Sequence, residues 1–279
     1  MSSLMSGVSI ATQRAKRLAR TGEELVQRAL AGMGARQSET RISADAQAYW
    51  SRQGDDRWRA NSHWRDASVF HDGDLWSRLG REHLELFERG VRMTGFSRRW
   101  DRVVDWGCGG GANAVWFAPR ALEYIGVDIS AETLSECAGE VARACDTRFT
   151  PIAVDVDDPE AVLRKIDEPC DIFVSFYVFE LIPTPEYGER LLRIASQLLA
   201  PGGLALIQVK YDSGRWRTKP RRRSYRSGLA EMTTYPIAAF WELAARSGLT
   251  PQAVHLVPRN ELDERYAYFF LSKPEAQVV

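Results

Sequence analysis

From residue 101 onward, short apolar runs alternate with longer amphipathic ones. The runs at 102–106, 124–129, 150–156, 171–176 and 204–211 have the length and apolar density of buried strands. Between them, 111–118, 131–144, 159–166 and 185–200 read as helices. Strand–helix alternation of this length predicts a parallel sheet with helices on both faces. After Tyr211 the alternation pauses for a polar, strongly basic stretch at 213–235. A helix then reads over 237–247, closed by Gly248, followed by strands at 252–257 and 266–271. The polar turn between those strands, 258–265, is short enough for a hairpin, which predicts an antiparallel last pair.

Upstream the pattern is looser. Leu75, Leu79, Leu84, Leu86, Phe87 and Val91 form a helical stripe over 75–93. Residues 43–100 hold five of the nine tryptophans and an irregular aromatic, charged stretch at 61–70. The chain therefore divides into a flexible helical arm (1–42), an aromatic-rich lid with helices (43–100) and a main domain (101–279) that carries the basic insertion. In the arm, Arg14, Lys16, Arg17 and Arg20 cluster among serines and alanines. Glu23 and Glu24 argue against a transit peptide, and Ile10, Leu18, Leu25 and Leu30 are too sparse for a membrane-surface face.

Composition narrows the class. With 44% hydrophobic and 27% charged residues, the chain is neither disordered, collagen-like nor a coiled coil. Its 279 residues allow one large domain with an appendage. Lys+Arg and Asp+Glu are both 37, so the zero balance does not favour a general nucleic-acid binder. No apolar run approaches the ~18 residues of a membrane span. Cys108, Cys137, Cys145 and Cys170 form no CxxC pair and have no histidine at zinc-ligand spacing. Reduced thiols, no metal and a cytoplasmic location are the expectation.

The sharpest chemical feature is the glycine-rich loop in Val103-Val-Asp-Trp-Gly-Cys-Gly-Gly-Gly-Ala-Asn113, where a buried strand ends and a helix follows. Glycines permit close ligand approach, and exposed amides at a helix start favour an anionic group. Gly107 to Ala112 also satisfies the dinucleotide pattern G-x-G-x-x-G/A, and Asp128 at the next strand end suits a ribose hydroxyl pair under either reading. Context separates the two. Asp105 stands two residues before the first glycine, Asp155-Val156 ends the third strand, and the strand and turn at 171–183 precede a helix and Leu199-Ala-Pro-Gly-Gly203.

With these pieces in this order, the sequence resembles the class I S-adenosylmethionine-dependent methyltransferases over residues 101–272, about 60% of the chain. The resemblance implies an α/β fold with a seven-stranded Rossmann-like sheet whose last strand is antiparallel. It implies S-adenosyl-L-methionine as cofactor and S-adenosyl-L-homocysteine as product. Gly107, Gly109 and Gly111 would line the methionine portion, and Asp105 would help fix its ammonium group, directly or through water. Asp128 would take the ribose hydroxyls, with Ile129 beside it. Asp155 would accept from the adenine amino group, Val156 would donate a backbone N–H, and Phe176 and Tyr177 would sit near the transferable methyl. Ligands at the carboxyl ends of parallel strands follow the general rule for such sheets.

A hydroxyl acceptor needs its proton removed, usually by His, Glu or Asp. Many members of the family carry a histidine shortly after the fourth strand, and Leu181 stands there instead. Glu180 and, in the aromatic segment upstream, His63 are the candidate bases; either could instead be a structural side chain. Trp64 and Tyr177 are candidates to stack on substrate. In 215–226 seven of twelve residues are cationic and none is acidic. Arg221, Arg222 and Arg223 could clamp an anionic substrate, hold RNA, or belong to a solvated loop or oligomer contact. The favoured reading is O-methylation of a small-molecule or glycan-type acceptor. The alternatives are an RNA or protein methyltransferase, or a non-catalytic binder of the cofactor.

Overall fold

The apolar runs pair into one seven-stranded sheet in the order β3-β2-β1-β4-β5-β7-β6. The computed structural model describes residues 22, 26–27, 29–51, 54–71, 74–225 and 229–275. The strands are β1 (Arg102–Trp106), β2 (Glu123–Asp128), β3 (Arg148–Ala153), β4 (Cys170–Ser175), β5 (Leu199–Lys210), β6 (Thr250–Arg259) and β7 (Glu264–Ser272). β1 to β5 pair in parallel, while β7 runs antiparallel to both β5 and β6. The expected seven strands and the reversed last strand are therefore present.

Helices cover both faces. They are α1 (Glu39–Trp50), α2 (Asp56–Asn61), α3 (Leu75–Thr94), α4 (Ala114–Phe117), α5 (Ala131–Ala144), α6 (Pro185–Leu198) and α7 (Ile237–Arg246). Successive strand residues point to opposite faces. Val103, Ile172 and Val174 pack with α3, α4 and α5, whereas Val104, Ile125 and Phe173 pack with α1, α6 and α7. Four helices start on side-chain caps: Ser38 for α1, Asp55 for α2, Ser130 for α5 and Thr184 for α6 each accept a backbone N–H from the first turn. α3 ends at Gly95 in the left-handed conformation (φ 71°) that a helix C-terminus commonly adopts.

Two predicted helices shrink. Gly111 (φ 95°) cannot continue a right-handed helix and Pro119 lacks an N–H, so the 111–118 helix reduces to α4 and a 3₁₀ turn over Ala118–Arg120. The 159–166 helix is a 3₁₀ turn, Pro159–Arg164. β5 begins five residues before the expected 204, because Leu199 already pairs with Cys170 across an irregularity in the ladder. The expected arm falls largely on residues 1–21, 23–25 and 28, outside the described residues. α1 crosses the expected arm–lid boundary, and Ile42 is fully buried in the core.

The described part of the basic stretch is folded. Tyr225, Leu229, Met232 and Tyr235 are buried in the same core as α1. The Trp50 indole donates to the Tyr225 hydroxyl at 2.8 Å, and the Gln37 N–H donates to the Arg222 carbonyl at 2.9 Å. The arm-proximal helix and the basic segment thus meet over the carboxyl ends of the strands.

Candidate active site

A cavity of about 820 Å³, its open mouth included, lies at the carboxyl ends of β1, β2, β3 and β4. Gly107 and Gly109 form its floor. Both have positive φ (74° and 54°), which favours glycine. A Cβ at Gly107 would stand 2.3 Å from Val178 Cγ2, and one at Gly109 would stand 2.7 Å from the Ser62 carbonyl oxygen. The Gly110 N–H donates to that same oxygen at 2.6 Å. The glycines therefore do two things: they open the cavity floor and they let the 62–64 segment cross the loop in contact. Gly111 does not line the cavity; it faces Cys137 and Glu140 of α5.

Two acids reach the wall. Asp128, the last residue of β2, accepts the Gly109 N–H at 3.2 Å and the Ser130 N–H at 3.0 Å. Burial raises its pKa and these backbone donors oppose the rise. Ile129 follows it on the wall. Asp155 and Val156, beyond β3, face the cavity beside Ala46 and Trp50 of α1. The Val156 N–H donates to Gln47 Oε1 at 2.9 Å, and its carbonyl accepts the Tyr187 hydroxyl at 2.8 Å.

Two acids lie behind the wall. Asp105 is fully buried beneath the glycine loop. It accepts the Tyr124 hydroxyl at 2.6 Å, while its Oδ1 has no partner among the described residues. Burial pushes its pKa up to about 7, with the nearby Asp128 charge adding to the rise. Glu180 is buried, its Oε2 has no partner among the described residues, and it is not on the cavity wall. Burial pushes it up to about 7 as well, against the pull of Lys210, which is itself paired with Asp263.

His63, Phe176 and Tyr177 line the cavity together. His63 (φ 53°) and Tyr177 (φ 58°) both hold the left-handed backbone that non-glycine residues rarely adopt. Their rings meet edge to face at 4.8 Å between centroids. Removal from water pushes the His63 imidazole down to about 4, and His83 nearby lowers it further. No hydrogen bond reaches either ring nitrogen of His63 among the described residues. The Tyr177 N–H donates to Gln208 Oε1 at 2.5 Å, and its hydroxyl accepts from Asn260 at 3.0 Å. His83, by contrast, stacks on Phe176 at 4.1 Å and is held at both ring nitrogens, by Asn113 (2.7 Å) and the Tyr268 hydroxyl (3.1 Å).

The remaining sequence candidates stand elsewhere. Trp64 is buried, with its indole N–H directed to Thr133 Oγ1 at 3.4 Å, and does not line the cavity. Arg221 pairs with Glu231 at 2.6 Å and Arg223 donates to Gln27 at 2.6 Å. Arg222 is partly buried, which lowers its pKa. No Lys or Arg is among the described residues that line the cavity. The wall instead gains Trp50, Tyr187 and Tyr225, which sequence reasoning missed. Only the helical spacing of Ala46 and Trp50 on one face of α1 hinted that this helix packs on the core.

Among the described residues no cluster of His, Cys, Asp and Glu could hold a metal ion, and no helix is long and apolar enough to cross a membrane. No curated protein sequence matches the chain. Solved structures share the fold. The N-methyltransferase NodS from Bradyrhizobium japonicum WM9, in complex with S-adenosyl-L-homocysteine, aligns over 75% of this chain and 93% of its own (17% identity, TM-score 0.55). The magnesium protoporphyrin IX methyltransferase ChlM from Synechocystis PCC 6803, with the same molecule bound, aligns over 82% and 99% (14% identity, TM-score 0.57). A S-adenosylmethionine-dependent methyltransferase from Clostridium acetobutylicum ATCC 824 aligns over 75% and 96% (12% identity, TM-score 0.54). Residues 62–254 match a family model described as a methyltransferase domain, which spans most of the chain and the whole cavity floor. The chain belongs to that family and is a class I S-adenosylmethionine-dependent methyltransferase.

Proposed function

We propose that this methyltransferase O-methylates a small-molecule or glycan-type acceptor. The observation that carries the reading is the character of the cavity wall: aromatic rings and the His63 imidazole line it, no Lys or Arg is among the described residues that do, and Arg221 and Arg223 are engaged by Glu231 and Gln27. A phosphate-tracking nucleic-acid groove needs cations along its path.

The residues present fit the cofactor. The cavity is lined mainly by apolar and aromatic side chains with a few polar groups among them, as small-ligand sites are. A Cβ at either floor glycine would collide with its neighbours. Asp155 and the Val156 N–H form an acceptor–donor pair complementary to the amino and ring-nitrogen edge of adenine. Asp128 with Ile129 would hold the ribose, and Gly107 and Gly109 would hold the methionine portion. Asp105, behind the wall with Oδ1 unpartnered among the described residues, is the candidate to fix its ammonium group through a bridging water. When bound, S-adenosylmethionine supplies an electrophilic methyl group on a sulfonium.

The protein's own part is positioning and proton removal. In-line attack needs the acceptor held against Phe176 and Tyr177 with water excluded. His63 is neutral at pH 7 because of burial, so a ring nitrogen can accept the hydroxyl proton as the new bond forms. Its strained backbone and the contact with Tyr177 fix the ring at the cavity.

The test is methyl-labelled S-adenosylmethionine incubated with the protein and host extract, then split by nuclease and protease. Label surviving both digestions is the expected result. Label released by nuclease makes RNA the acceptor; label released by protease makes it protein.

A further inference from the structure

The Gln47 carboxamide occupies the acceptor–donor pair at the end of β3. Its Oε1 accepts the Val156 N–H at 2.9 Å, and its Nε2 donates to Asp155 Oδ1 over a longer 3.5 Å. The orientation of the amide is fixed by chemistry: only the oxygen can accept from an N–H, and Nε2 also donates to Ser51 Oγ at 2.7 Å. A carboxamide presents one donor and one acceptor side by side. The Watson–Crick edge of adenine, its amino group beside a bare ring nitrogen, presents the same kind of pair; Gln reads the equivalent amino and ring-nitrogen pair on the other edge of adenine, N6 and N7, in DNA. One Asp155–Val156 pair cannot serve both at once.

We infer that Gln47 is a built-in stand-in for the adenine edge, which the cofactor must displace, so that α1 is a gate over the adenine end of the cavity. The inference rests on the assignment of Asp155 and Val156 to adenine. Competition of this kind lowers apparent affinity by the fraction of molecules with the pair free. The gate is also joined to the basic segment. Trp50, one turn along α1, donates to Tyr225. The Ser224 N–H donates to Gln37 Oε1 just ahead of the helix, and Thr184 at the start of α6 donates to Glu39 Oε2 at 2.9 Å. Displacement of Gln47 therefore loads the contacts that hold 221–225, which gives this segment a role at the mouth without any arginine touching the ligand.

The test is calorimetry with S-adenosylhomocysteine on the full chain. Gln47 is partly exposed on a helix, where alanine is well tolerated. Gln47→Ala is expected to bind about tenfold more tightly than wild type, the scale of one to two hydrogen bonds no longer competing. Gln47→Glu, which sets a carboxylate against Asp155, is expected to shift in the same direction. In wild type, hydrogen exchange over 39–50 should rise on binding. Equal or weaker binding by Gln47→Ala overturns the gate while leaving the cofactor assignment standing. If wild type and variant both fail to bind, the cofactor assignment falls, and the gate with it.

Discussion

The ends of the strands carry two sets of titratable groups that look alike in sequence and differ in what they face. Asp128, Asp155 and His63 stand on the cavity wall; Asp105, Glu180 and His83 stand behind it. The histidines make the contrast sharpest. Burial pushes both imidazoles down to about 4, yet among the described residues His83 has each nitrogen engaged while neither nitrogen of His63 is. The pKa alone does not separate a reactive group from a structural one. Whether the ring lines the cavity with its nitrogens unengaged does.

The comparison predicts its largest effect at His63. His63→Asn keeps a residue tolerant of the left-handed backbone and removes the proton acceptor. Methyl transfer to the acceptor should fall about 10²–10⁴-fold, measured as label incorporation, with affinity for S-adenosylhomocysteine little changed. Turnover in wild type should be flat from pH 6 to 8 on account of this group and should drop only as pH falls through about 4, where the imidazole charges. Wild-type turnover in the variant would place His63 with His83 among the structural histidines.

Asp128→Ala comes next. Loss of its charged hydrogen bonds should weaken S-adenosylhomocysteine binding by roughly 1–3 kcal/mol in calorimetry. Unchanged affinity would remove the ribose assignment. Part of the loss will be indirect, since Asp128 also accepts from Gly109 and Ser130 and so shapes the loop.

Which of these groups faces the cavity was only partly legible. β1, β2 and β4 could be read because each is a buried, mainly apolar run carrying a Gly or Asp, and α5 because Ser130 caps it; β3, a mostly unburied edge strand, lies at 148–153 rather than the expected 150–156. Asp128 could be placed because it is the last residue of its strand. Asp105, one residue before the end of β1, is drawn under the loop instead. The early start of β5 was not legible because Pro201-Gly-Gly203 reads as a turn, although the ladder already starts at Leu199. Contacts between distant segments left no local trace. Gln47 meets Val156, Ser62 crosses Gly109, and Arg221 finds Glu231 only once the chain is folded.

A smaller effect tests the group behind the wall. Glu180 has a folded pKa of about 7 against an ordinary 4.5, because burial disfavours its charge. Between those values the folded state binds more protons than the unfolded chain, so stability falls as pH rises from about 4.5 through 7. Glu180→Gln removes that cost. Relative to wild type its Tm should therefore rise by a few degrees between pH 5 and pH 8, on the order of 1–2 kcal/mol. Affinity for the cofactor should be unaffected. If turnover collapses instead while Tm and affinity hold, Glu180 rather than His63 is the base, and the division between wall and interior fails at its most consequential point.

The smallest effect is expected where the sequence looked loudest. Arg221 sits in the densest run of positive charge, yet its guanidinium is held by Glu231, which also lies near Arg265. A partly exposed pair of this kind contributes about 0–1 kcal/mol. Arg221→Ala should shift Tm by no more than a few degrees and should leave the KM for the acceptor unchanged. A large rise in KM with an intact fold would mean that Arg221 leaves Glu231 to meet an anionic acceptor. The run of arginines would then be part of the site, and charge along the chain would have been the better guide to substrate than the uncharged rings at the cavity mouth.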